Sequence, residues 1–277
     1  MIEVSRLTKQ YDDGTVALDK VTLRLDKRIT SILGRNGAGK TTFIRIMSTQ
    51  LKPTSGTVKI NGIDVVKDRD RIRGMIASIP QEIAPWDVAS PQEHVEMFLS
   101  AKGLNRYDVK KFADSALKEL GLWEVRDKAM GGLSGGMKRK VFVAMALASQ
   151  AELIFLDEPT TGLDPISRLE VWSALRKIKG TIVITTHYME EAKELSDEVV
   201  LINKGKPVMQ GGVRELLSKF KGKVRVEGPK GKYKVADTHI SYMGVKDAER
   251  LLERGYSIKQ ITLEDLFIMH GGGAIED

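Results

Sequence analysis

The chain contains no cysteine. Disulfides and thiolate-held metal sites are therefore excluded, and a cytosolic setting is the default expectation. It also lacks any run of eighteen apolar residues. The most hydrophobic stretch, VFVAMALA (Val141–Ala148), follows directly on Lys138, Arg139 and Lys140. A membrane-spanning helix needs about 20 such residues, so none is expected. The opening MIEVSRLTKQ has no apolar core of the kind a signal peptide carries. Internal repeats and long low-complexity tracts are absent as well. What remains is ordinary globular composition, 42% apolar and 29% charged over 277 residues, which suffices for a sizeable core. The net charge of +7 is local: residues 219–236 hold seven Lys/Arg against one Glu, and the rest of the chain is near neutral. A basic stripe of that kind is a weak argument for nucleic acid as partner.

Along the chain, short buried-strand patterns alternate with helical ones. RITSILG, ELIFLDEP and TIVITTH are apolar runs of strand length. TTFIRIMSTQ and VWSALRKIKG have helical spacing, the second closed by Gly180. SPQEHVEMFLSAKG opens with Ser90 as N-cap, Pro91 at the first position and Glu93 completing a capping box. Alternation of this type predicts a mostly parallel sheet covered by helices on both faces, an α/β fold. No strand is expected between about 82 and 148, which reads as a helical insert. Past about 215 the pattern changes. GKVRVEG and KYKVAD read as a two-stranded hairpin, followed by helices in GVKDAERLLERG and TLEDLFIMHGG. The expected organisation is a domain over 1–217, containing an N-terminal antiparallel β portion and the insert, and a small α+β extension over 218–277.

GRNGAGKT (Gly34–Thr41) fits the pattern G-x-x-x-x-G-K-[ST], after a strand and before a helix. Glycines in such a loop let backbone N–H groups curl around phosphate oxygens, and the helix start adds free donors and a favourable dipole. Gly34, Asn36, Gly37, Ala38, Gly39, Lys40, Thr41 and Thr42 are the candidate phosphate-binding residues. Lys40 would reach the β- and γ-phosphates of ATP, and the Thr41 hydroxyl would serve Mg²⁺. Asp157 and Glu158 stand at the tip of the LIFLD strand. Because neighbouring side chains on a strand point opposite ways, the two acids are expected to differ in task. Asp157 would hold Mg²⁺, and Glu158 would orient or polarise an attacking water.

With these residues in place the chain resembles the ATP-binding subunits of ABC transporters over residues 1 to about 215. LSGGM (Leu133–Met137) resembles the family's signature turn, and TGLDP (Thr161–Pro165) its D-loop. The resemblance implies a P-loop NTPase fold and further roles. Gln81 would contact metal and water and link them to the membrane subunit. His187 would contact the γ-phosphate, and Tyr11 would stack on adenine unless it is merely an exposed aromatic. The family packs two subunits head to tail, as homo- or heterodimer. Ser134, Gly135 and Gly136 would then close over the nucleotide held by the other chain. That arrangement explains why one chain carries two anion-binding turns. Met137 stands where family members commonly have Gln, so the Ser134 cap is half made. A glycine often seen before the P-loop strand is also missing.

TLEDLFIMHGG resembles the end of subunits from the drug-exporter branch, the ABC-2 type. The resemblance thus implies an ATPase that powers a separate membrane permease for export, cytoplasmic and peripheral on the inner face of the membrane. An importer ATPase is the neighbouring alternative. A soluble ATPase that clamps nucleic acid or a protein assembly is the alternative from another class. The permease would dock near Gln81, Trp86 and the insert; Trp86 could equally pack the insert onto the core. The lysines of 219–236 suit either a protected edge strand or anionic lipid headgroups. Substrate contacts would lie on the membrane chain.

Overall fold

The computed structural model describes the fold of residues 1–235, 237–272 and 274–275. Ten strands build its first two sheets: β1 (Ile2–Gln10), β2 (Val16–Leu25), β3 (Ile29–Leu33), β4 (Ser55–Ile60), β5 (Ile63–Asp64), β6 (Ile76–Ile79), β7 (Leu153–Asp157), β8 (Thr181–Thr186), β9 (Glu198–Asn203) and β10 (Lys206–Gly211). The central sheet has the order β10-β9-β3-β8-β7-β6, parallel except for β10 at its edge. Every residue of β3 and β7 is buried. Period-2 alternation explains how both faces are used. Ile154 and Leu156 enter one core, and Leu153 and Phe155 the other.

The Phe155 side is covered by helix α1 (Lys40–Met47), by α2 (Arg69–Met75) and by a four-stranded antiparallel sheet of order β2-β1-β4-β5. The Leu156 side is covered by α3 (Pro91–Ala101), α4 (Arg106–Glu119), α5 (Gly135–Ala148) and α6 (Pro165–Lys177). Among the described residues between Ile79 and Leu153 there is no strand. The capping box at Ser90 forms: Glu93 N donates to Ser90 Oγ and Ser90 N to Glu93 Oε2. Helix α6 begins in the TGLDP segment, where Asp164 accepts from the amides of Ile166 and Ser167 and Pro165 takes the first position. Helix α7 (Met189–Leu195) follows β8.

Beyond α8 (Val213–Ser218) come β11 (Lys223–Gly228), β12 (Tyr233–Val235), β13 (Thr238–Gly244), α9 (Val245–Leu252), β14 (Ser257–Lys259), α10 (Leu263–Phe267) and β15 (Ala274–Ile275). The strands form a third, antiparallel sheet in the order β14-β11-β13-β12-β15. This corrects the expected two-stranded hairpin: β11 and β12 do not pair, because β13 lies between them. Its sequence, THISYMG, has one buried apolar residue, Ile240, and so shows almost no hydrophobic signal. A side chain at Gly231 would meet the Ile240 backbone at 2.9 Å, so the turn into β12 must pass close to β13.

The third sheet is anchored to the rest of the chain through α10. Leu263, Leu266 and Phe267 pack with Leu33, Ala192, Val199, Leu201 and Leu216. On the same helix Asp265 is fully buried and accepts from Arg225 Nη1 (3.1 Å), Tyr242 OH (2.9 Å) and Thr262 N (2.7 Å). Burial, then the neighbouring Asp265 charge, pushes the Tyr242 phenol pKa up. Glu227 pairs with Arg225 and, at 2.7 Å, with Lys259; the Lys259 hydrogen bond leads in holding its carboxyl below the usual range. Arg225 therefore does not belong to the solvated stripe, whereas Lys219, Lys221, Lys223, Lys230 and Lys232 are exposed.

Candidate functional site

The loop between β3 and α1 carries the candidate phosphate-binding residues. Two of its glycines leave no room for a side chain. A Cβ at Gly34 would lie 2.5 Å from the Ile202 carbonyl oxygen. Gly39 has φ +103°, and its Cβ would lie 2.3 Å from the Ala17 carbonyl oxygen. The same Ala17 oxygen would meet a Cβ on Gly205, in the β9–β10 turn, at 2.7 Å. One backbone carbonyl of β2 is thus gripped between two glycines. Gly39 caps α1 with no side-chain hydrogen bond, so the first-turn N–H groups have no side-chain cap and can serve an anion. Lys40 Nζ, 5% exposed, donates to Gly34 O (2.9 Å) and Arg35 O (3.2 Å) and lies 3.6 Å from Glu158 Oε1. Its ammonium therefore bridges the loop and the acid.

Glu158 is the meeting point of the site. It stands one residue past the end of β7 with φ +49°, the left-handed region, which is uncommon for a residue with a side chain. The strand alternation expected to separate it from Asp157 therefore does not apply; the turn separates them instead. Its main-chain N–H donates to Thr185 O and Thr185 Oγ1, both at 3.1 Å. Its Oε2 accepts from Gln81 Nε2 (3.2 Å) and Thr161 Oγ1 (3.1 Å). His187 Nδ1 lies 3.2 Å from the same oxygen, close enough for an ion pair but not aligned as a hydrogen bond. Asp157, fully buried, accepts from the Thr185 hydroxyl at Oδ1. Thr185 thus orders both acids, a role its sequence position did not suggest.

A cavity of about 480 Å³ is lined by Tyr11, Asn36, Gly37, Lys40, Gln81 and Glu158, among others. Thr41 and Thr42 also face it, and the Tyr11 hydroxyl is 3.1 Å from Thr42 Oγ1. Tyr11, 37% exposed, sits with Lys9 over its ring at 5.3 Å. The dimensions and donors suit a nucleotide: an aromatic edge, a cradle of main-chain amides and one lysine. Among the described residues no group of three or more His, Cys, Asp or Glu could hold a metal by itself. Asp157 does not line the cavity, being fully buried with its Oδ1 bonded to the Thr185 hydroxyl, which leaves the Thr41 hydroxyl and the Gln81 amide as a sparse set of hard oxygens facing it. That fits Mg²⁺, which keeps waters and takes substrate phosphate oxygens.

Ser134, Gly135 and Gly136 do not line this cavity. Ser134 and Gly135 are exposed at the start of α5, where Ser134 Oγ accepts from Met137 N at 3.2 Å. Met137, with no polar side chain, completes no capping box with Ser134. Trp86 is 66% and Val88 90% exposed, at a second cavity of about 1070 Å³ on the helical insert that also includes Glu93, Met97, Leu104 and Arg106. Trp86 therefore does not pack the insert onto the core.

Comparison with known proteins gives one answer throughout. The family model described as ABC transporter matches residues 18–161. The chain is 36% identical over 225 residues to the daunorubicin resistance ATP-binding protein DrrA3 of Streptomyces coeruleorubidus, covering 80% of this chain and 71% of that protein. It is 38% identical over 207 residues to human ATP-binding cassette sub-family A member 2, covering 73% of this chain but only 8% of that much longer protein. Among solved structures it resembles the dimeric, post-hydrolysis state of the ATP-binding cassette MJ0796 bound to ADP and Pi. There the TM-score is 0.70 with 27% identity, covering 76% of this chain and 98% of that one.

Proposed function

The chain belongs to the ABC transporter family of ATP-binding subunits, and from that premise we propose how its residues carry out ATP hydrolysis and to what the hydrolysis is coupled. Tyr11 stacks on adenine. The amides of Gly34–Thr42 and the Lys40 ammonium hold the phosphates, Lys40 exchanging loop carbonyls for phosphate oxygens. Thr41, Gln81 and Asp157 would hold Mg²⁺, which when bound would neutralise charge at the phosphates. Glu158 accepts a hydrogen bond from the attacking water, Gln81 orients that water, and His187 reaches the γ-phosphate. The observation that carries this reading is the convergence of Gln81, Thr161, His187 and Lys40 on one buried carboxylate, Glu158.

Two protomers pack head to tail, homo- or heterodimeric, and Ser134 with Gly135 and Gly136 closes the partner's nucleotide site. Exposure of that turn, away from the chain's own cavity, supports this. The dimer sits peripherally on the inner membrane face and drives a separate permease in the export direction. Resemblance to a drug-resistance ATP-binding protein supports export. A cytoplasmic segment of the permease docks in the insert groove with Trp86 as anchor. Among the described residues no helix is long and apolar enough to cross a membrane.

The deciding experiment is Glu158→Gln. Phosphate release should fall by about 10²–10⁴-fold while ATP binding persists, and size-exclusion chromatography with ATP and magnesium should show a dimer. Near-normal turnover would exclude the role given to Glu158. A variant that stays monomeric at saturating ATP, in solution and on membranes bearing the permease, would exclude the shared site.

A further inference from the structure

Arg139 has no part in the site as described so far, yet its surroundings are unusual. It lies on α5, five residues after Ser134, and its side chain is buried. The guanidinium has five N–H donors in a fixed fork. Here they meet five main-chain carbonyls and no carboxylate. Nε donates to Pro159 O (3.1 Å); Nη1 to Pro80 O (3.3 Å) and Gln81 O (2.8 Å); Nη2 to Asp157 O and Glu158 O, both 2.6 Å. The carbonyls come from two segments. One carries Gln81; the other runs through Asp157 and Glu158.

Burying a cation against neutral acceptors is costly, and burial pushes the Arg139 pKa down, partly offset by the charges of Asp157, Glu158 and Glu191. What the arrangement gains is geometric. Three consecutive carbonyls point to one centre only if the chain turns sharply at 157–159, and Glu158 does so with a left-handed φ. The guanidinium holds that turn and, with the same group, the main chain of Gln81. Lys140, the next residue, fixes α5 to α6 through Glu170 at 2.7 Å. The start of α5 is the Ser134 turn. A helix is stiff over five residues, about 7.5 Å.

We propose that Arg139 is a positioning residue that ties the turn offered to the partner's nucleotide to the Gln81–Glu158 pair acting on the chain's own nucleotide. This rests on the head-to-tail dimer proposed above. When the partner's nucleotide draws in Ser134, α5 moves as a unit, and Arg139 carries the Gln81 and Glu158 main chains with it. Each composite site then reports its closure to the other, which is a coupling free energy between two sites.

The test uses the full chain as Arg139→Gln and Arg139→Lys, with phosphate release measured against ATP concentration. Wild type should be cooperative, with a Hill coefficient above 1 and up to about 2 for two sites. Both variants should lose about 10²-fold in kcat through misplacement of Glu158. Fluorescent-nucleotide affinity should change less than about threefold, since the phosphate cradle is untouched, and the Hill coefficient should fall to about 1. A general loss of stability would lower the amount of active protein without removing cooperativity from what remains. If Arg139→Gln does not fold, Arg139→Lys decides: it keeps charge and stem, but one ammonium cannot span both segments. Wild-type-like kcat and Hill coefficient in Arg139→Lys would overturn the inference. A wild-type protein that never dimerises with ATP would overturn the dimer reading first, and the two failures are thereby distinguished.

Discussion

The central sheet and the C-terminal sheet are built by opposite means. In the first, β3 and β7 are buried at every position, and apolar side chains on alternating faces do the work. In the second, a fully buried Asp265 gathers Arg225, Tyr242 and Thr262, and Glu227 joins Arg225 to Lys259. Hydrophobic burial is non-directional and tolerant of detail. A polar network holds only if each member is satisfied. The difference teaches that the chemical half of this chain rests on a robust support, and the appended half on a conditional one.

Three substitutions probe that contrast. Phe155→Ala opens a cavity beneath the loop-bearing sheet and should cost about 3–5 kcal/mol; urea unfolding followed by circular dichroism measures it, and nucleotide binding should weaken with it. A cost under 1 kcal/mol would show that the central sheet is not held as described. Asp265→Asn should cost less, about 1–3 kcal/mol, by weakening charge-assisted bonds from Arg225. Its effect should be local: hydrogen exchange should rise in β11–β14 while ATP affinity is preserved. Loss of ATP binding would mean that the two regions are not separable. The smallest effect belongs to Glu191, fully buried on α7, which accepts from Thr160 Oγ1 and Trp172 Nε1. Burial raises its pKa. An acid with a raised folded-state pKa costs stability as pH climbs from its unfolded to its folded value. Glu191→Gln should remove that part of the pH dependence, leaving a flatter profile above about pH 4.5 with a Tm shift of a few degrees at most. An unchanged slope would show that burial does not raise the Glu191 pKa.

The same contrast decides what could be read from the sequence. Apolar strands of the central sheet announce themselves, as LIFLD and TIVITT do, and the P-loop is legible because two of its glycines leave no room for a side chain. In the C-terminal sheet THISYMG carries one buried apolar residue, so its insertion between β11 and β12 left no periodic trace. Of the candidate site, Gly34–Thr42, Asp157, Glu158, Gln81 and His187 could be named in advance by motif or resemblance. Thr185 and Arg139 were not: one looked like strand filler, the other like a charge bordering an apolar helix. Their importance lies in bonds to backbone and to a neighbouring acid, which no spacing rule encodes. Arg139 offered a faint signal only, an arginine beside VFVAMALA that turns out to be buried with it.

The carbonyl of Ala17, held between Gly39 and Gly205, bears on anyone who wishes to re-engineer this protein. Three segments distant in sequence meet there with no room for a methyl group. Loop grafts, split-protein junctions and circular permutation sites placed at any of them will jam the cradle. The link after Ser218, where a Cβ on Gly222 would meet no neighbour although its φ of +79° still favours glycine, offers a more open place for such cuts and tags.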